Sequence, residues 1–146
     1  MNSAPVFDGQ SQQQAATGKP DLVFGGAGGV FPDKAIIHDN DTFAVQWSAR
    51  NRGTADAPAF TDLLVITQLP EGCPGSDDQE HPVVYNSQND GNPQDYLEGP
   101  LAAGMDGPLM QPIVGPFPAG SYRLTVTLAA GLADAATFNC IEIITQ

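Results

Sequence analysis

The chain has 146 residues, with 17 acidic side chains against 5 basic ones and a net charge of −12. That length suits a single domain able to bury a core, and no stretch approaches the roughly 18 apolar residues of a membrane span. Nucleic acid and anionic membrane surfaces are poor partners, because both need clustered cations, and Gly53 to Tyr122 holds ten acids without one Lys or Arg.

Residues 1–19 read as an extended N-terminal arm, polar over 10–14 and bracketed by Pro5 and Gly18. The arm shows neither the basic start nor the apolar run of a secretory signal. Within it, Val6 and Phe7 are the candidate anchors onto a neighbouring subunit. The domain proper is then 20–146. A short strand is expected over 21–24, followed by Gly25-Gly26-Ala27-Gly28-Gly29. That glycine run reads as a turn and not as a dinucleotide loop, since Val30-Phe31-Pro32 follows and leaves no helix to receive a phosphate.

The clearest strand covers 42–51, where Phe43, Val45, Trp47 and Ala49 alternate with mostly polar residues, one face for a core and one for water. Asn51-Arg52-Gly53-Thr54 then supplies turn chemistry. A more continuously apolar strand is expected over 60–69, as when both faces are partly covered. Gly and Pro total 29 residues (16 and 13) and crowd the middle of the chain, so 69–108 reads as loops with broken strands. Shorter strands are expected over 82–85 and 109–114. Tyr122, Leu124, Val126 and Leu128 alternate through 121–128, and a last strand spans 136–145. There the apolar parity switches from Phe138 and Cys140 to Ile141 and Ile143, which suggests a bulge near Cys140.

Seven or eight short strands without helical periodicity predict an all-β, two-sheet antiparallel β-sandwich. Its expected core is Val45, Trp47, Leu64, Ile66, Tyr122, Leu124 and Val126. Tyr122, just after Ala119-Gly120, is placed to send its hydroxyl back to the preceding backbone corner.

No catalytic motif stands out. A nucleophile elbow, a Walker loop and a zinc-protease signature are all missing, and His38 and His81 are the only histidines. The chain is therefore read as a non-enzyme. Two acidic knots, Asp77, Asp78 and Glu80, and then Asp90, Asp95 and Glu98, supply hard oxygens that calcium could take, although neither has the spacing of a known calcium loop; solvated loops remain the favoured reading. No other cofactor is expected. Cys73 and Cys140 stand too far apart for a metal or redox motif. A disulfide between them would tie a loop to the last strand, but with no leader visible two unpaired thiols are favoured. Tyr85 and Tyr96 are the candidates for partner contact within a recognition stretch of 69–106, and with Phe31 and Phe117 they are the aromatic residues outside the strong strands that a carbohydrate platform could use.

Three phrases in order, Lys19-Pro20-Asp21-Leu22-Val23, Asn51-Arg52-Gly53-Thr54-Ala55 and Ala119-Gly120-Ser121-Tyr122-Arg123-Leu124-Thr125-Val126, make the chain resemble the CARDB family. Those are bacterial and archaeal immunoglobulin-like sandwiches of the cell-adhesion type. The chain departs from that pattern in the long Gly/Pro-rich middle and in the approach to Cys140. The resemblance implies a non-catalytic module of a surface or extracellular assembly, adhesin- or filament-like, whose partners are proteins and could include copies of itself. A decoration protein on a virus capsid or tail, using the arm as a clasp, is the alternative. A carbohydrate-binding sandwich ranks third.

Overall fold

The computed structural model describes residues 18–26, 28–130 and 135–146. In chain order the strands are β1 (Leu22–Phe24), β2 (Phe31–Pro32), β3 (Ile37–His38), β4 (Phe43–Gln46), β5 (Ala49–Asn51), β6 (Phe60–Thr61), β7 (Leu63–Gln68) and β8 (Val83–Asn86). A one-turn helix α1 (Ser87–Asp90) and a 3-10 turn (Pro93–Tyr96) precede β9 (Leu97–Glu98), β10 (Ile113–Val114), β11 (Gly120–Leu128) and β12 (Ala135–Ile144). One layer is a five-stranded sheet in the order β3-β12-β11-β7-β8. The facing layer is broken into β10-β4-β2 and β1-β5, with the small ribbon β6-β9 beside it.

Alternation explains the long strands. On β11, Tyr122, Leu124, Val126 and Leu128 are buried while Arg123, Thr125 and Thr127 are not. The continuous apolar run of β7 sits between β11 and β8, so Leu64 and Ile66 face the core and Leu63 and Val65 are half-buried. All seven expected core residues are at most 1% exposed, and Tyr122 Oη donates to Pro118 O at 2.7 Å, closing the expected corner.

Three expectations need correction. The strand expected over 42–51 is split, since Trp47 and Ser48 fall between β4 and β5; Trp47 instead exchanges backbone bonds with Met110 as an isolated bridge, and Ser48 O accepts from Gly25 N. The bulge near Cys140 is absent: β12 pairs with β11 in unbroken register from Gly120↔Ile143 to Leu128↔Ala135. The parity switch has another cause. Phe138 and Cys140 point to the outer face, where the Arg123 guanidinium lies 4.8 Å over the Phe138 ring and Cys140 is bonded to Cys73. The irregularity in this sheet lies between Ile66 and Thr67, against β8. Finally, the sandwich is not wholly antiparallel, because β3 joins β12 in parallel.

Cys73 and Cys140 form a disulfide, with Cα atoms 5.9 Å apart, so the expectation of two unpaired thiols is overturned. The bond pins the 69–82 connection to β12. Glu71 braces the same connection, accepting from Ser76 N and meeting His81 Nε2 at 2.6 Å. The His81 ring first, and backbone N–H groups next, hold the Glu71 carboxyl down to about 2.

Candidate functional site: an uncharged face and an open edge

Two of the three phrases of the sequence, Lys19–Val23 and Asn51–Ala55, meet in one structural clamp. Asn51 is fully buried; its Oδ1 accepts from Asp21 N and Gly53 N, both at 3.0 Å, and its Nδ2 donates to Ala55 O at 2.9 Å and Leu101 O at 3.0 Å. One amide side chain thus ties the opening of β1 to the exit of β5. A Cβ on Gly53 would collide with Lys19 O, so the turn closes only on glycine. Arg52 adds an exposed ion pair to Asp21 at 3.0 Å.

A second buried feature is an acidic pair, Asp62 and Glu98, of which Glu98 was expected in a solvated loop. Asp62 and Glu98 are 1% and 3% exposed. Asp62 accepts from Trp47 Nε1 at 2.9 Å and from Ala129 N at 3.2 Å. Glu98, opposite Phe60 on the β6-β9 ribbon, has no N–H or hydroxyl bonded to either oxygen among the described residues and meets the Asp62 carboxyl. Burial first, then that neighbour, pushes the Glu98 carboxyl up to about 9. Burial without a donor holds the Glu98 carboxyl in its neutral form.

The sequence candidates are distributed as follows. Val6 and Phe7 lie outside the described residues; of the arm, Lys19 is tied down through its carbonyl by Thr54 N at 3.0 Å. Tyr96 is not a surface contact: it is 1% exposed, stacks on Trp47 with ring centroids 6.1 Å apart, and shares a hydroxyl bond of 2.6 Å with Tyr85. That correction leaves Tyr85 half-buried and committed to the same pair. Phe117 packs between Phe43 and Tyr122. Asp77 pairs with Arg123 at 3.8 Å, Asp78 N–H is capped by Ser76 Oγ, and Asp90 accepts from Asn86 N. Glu80 and Asp95 join none of these bonds, and among the described residues no three His, Cys, Asp or Glu side chains converge as a metal would need.

Two surface features remain. The outer side of the β10-β4-β2 layer carries Phe31 opposite Gln46 and Ile113 opposite Ala44, with Leu109 and Gln111 in the same alternation. Phe31, Leu109 and Ile113 are 42%, 52% and 64% exposed, and these six side chains include no charge. The second feature is a groove of about 540 Å³ between Phe31–Ile37 and Asn139–Glu142, along the edge of β12.

No family model matches the sequence, and no curated protein matches it. Among solved structures the chain is similar to the CARDB domain of the PF1109 protein from Pyrococcus furiosus, a complex with di-metal ions, at 10% identity and a TM-score of 0.54, covering 87% of this chain and 96% of that one. The donors described above do not fit such a pair of ions. It is also similar to part of the β-glucosidase EmGH1 from Erythrobacter marinus, at 13% identity and a TM-score of 0.52, covering 86% of this chain but 16% of the enzyme. The chain therefore has the fold of a CARDB-type, immunoglobulin-like β-sandwich.

Proposed function

We propose that this chain is a non-catalytic binding module of an exported, surface-displayed assembly, docking on a protein partner through the outer face of the β10-β4-β2 layer. The observation that carries this is the stripe of Phe31, Leu109 and Ile113, apolar and uncharged on a molecule of net charge −12. Exposed apolar groups gathered on one face mark contact surfaces, whereas scattered ones do not. Two further features support the reading. The likeness to a CARDB domain covers nearly all of that domain. The disulfide suits an oxidising compartment outside the cytosol.

The test is a double variant, Phe31→Asp with Ile113→Asp, expressed in the native source. Both side chains are exposed, so stability should change by about 1 kcal/mol or less, while incorporation into the surface assembly is lost. Retention at the wild-type level would refute the face. A gain of hydrolytic activity on glycosides by the purified wild-type chain over buffer would refute the non-catalytic reading.

A further inference from the structure

β10 is the outer strand of its layer, and no strand pairs with its far side among the described residues. Ladder phase identifies the backbone groups that face that side. Val45 N donates to Pro112 O, while Met110 and Trp47 exchange both bonds, at 2.8 and 3.2 Å. Met110, Pro112 and Val114 therefore turn their peptide groups toward β4, and by alternation Leu109, Gln111 and Ile113 turn theirs away. None of those three has a backbone partner among the described residues. The edge they form is about 14 Å long, with an N–H and a C=O free at every second residue. Such edges are commonly blunted by a charged side chain or by a proline that withholds an outward N–H. This one is not. Pro112 stands in the phase that faces β4, and Leu109, Gln111 and Ile113 carry no charge.

Two grooves run beside the edge. One, of about 260 Å³, separates Leu109–Pro112 from Gln94, Asp95 and Leu97. The other, of about 460 Å³, continues past Ile113 and is bounded by Asp90 and Asp95. Asp95 lines both, and unlike Asp90 its carboxylate joins no hydrogen bond or ion pair among the described residues. No Lys or Arg lines either groove.

We infer that this edge is a strand-acceptor site and that its occupant is an extended segment of a basic partner protein, alternately apolar and cationic. The inference rests on the docking face proposed above and says how the partner engages it. Residues of the segment opposite Leu109, Gln111 and Ile113 bond to them through the main chain and widen the apolar face that includes Phe31. Residues opposite Met110 and Pro112 point the other way, into the grooves, where a Lys or Arg side chain meets Asp95. Charge selects this occupant over a second copy. Another copy adds a further net charge of −12, and its own edge has no cation to offer Asp95.

Incorporation into the assembly of the native source tests this, with Gln111→Pro set against Gln111→Ala. Both lose the amide side chain, but only the proline removes the outward N–H. Incorporation should fall at least about tenfold further with proline than with alanine, since a partner carbonyl is left unmet. Asp95→Lys, an exposed change outside the ladder, should lower it at least about tenfold by repelling the cation. The amides of Met110 and Val114, which face β4, should stay protected from exchange in every variant and so report an intact fold. Where the proline exposes them, Asp95→Lys alone decides. Equal incorporation of the proline and alanine variants overturns strand addition, even when Phe31→Asp with Ile113→Asp abolishes docking. Native-level incorporation of all of these variants removes the docking face as well. Undiminished incorporation of Asp95→Lys overturns the basic partner, and a dimer of the purified chain that Gln111→Pro dissolves overturns it in favour of a second copy.

Discussion

Replacing Glu98 by Gln should change how stability depends on pH more than it changes stability itself. In the folded chain the Glu98 carboxyl is held up to about 9, while in the unfolded chain it ionises near the ordinary value of 4.5. Between those limits the folded state keeps a proton that the unfolded state has released. Stability is therefore lost as pH rises through that window, by about 1.4 kcal/mol per pH unit for one proton. From pH 5 to pH 8 the loss is about 4 kcal/mol. The amide introduced by the substitution is neutral, can still donate to Asp62, and cannot titrate. Urea unfolding at pH 5, 6, 7 and 8 should show the variant gaining about 4 kcal/mol on the wild type across the series. Glu71, whose carboxyl is held down to about 2, contributes a stability lost only as pH falls below the ordinary carboxylate range, so it does not distort this window. Two curves that stay parallel within about 0.5 kcal/mol would refute the buried, neutral Glu98 carboxyl.

Trp47→Ala should cost about 3 to 5 kcal/mol, seen as a lowered denaturant midpoint, because it empties the core and strips Asp62 of its indole donor. Asn51→Ala leaves two peptide N–H groups and the Ala55 carbonyl without partners, while Leu101 O keeps Ala57 N, and should cost about 3 kcal/mol or more, with added exchange at Asp21 and Gly53. Tyr122→Phe keeps the ring and removes one hydroxyl bond, so about 1 to 2 kcal/mol is expected in the same assay. Reducing the Cys73–Cys140 bond opens a loop with a sequence separation of 67 and should lower stability by about 4 kcal/mol, with the far-ultraviolet sheet signal retained at room temperature.

The strands that could be read from the sequence were those with one wet face. Val45 and Trp47, or Tyr122 through Leu128, alternate because each faces the other layer on one side and solvent on the other. The Tyr122 corner was legible for a local reason: its acceptor, Pro118 O, is four residues away. What failed depended on partners distant in sequence. Cys73 and Cys140 meet through a register that no spacing announces. Phe138 imitates an inward residue because its cover, Arg123, comes from the neighbouring strand. Glu98 and Tyr96 look like loop residues among prolines and glycines, yet the β6-β9 ribbon carries them under Trp47 and Asp62. The uncharged face escaped notice because Phe31 lies far in sequence from Leu109 and Ile113, and only β4 between them brings the two segments side by side.

The Asn51 clamp and the end of β12 lie at opposite poles of the molecule. Lys19 is fastened near the β5 exit, and Gln146 N–H is fastened to Asp39 beyond β3. A pull applied to the two termini therefore runs lengthwise through the sandwich. It drags β12 along β3 and β1 along β5, so ladder bonds must break together in shear and not peel open one by one. Rupture under such loading is set by the unfolding rate and not by the equilibrium stability.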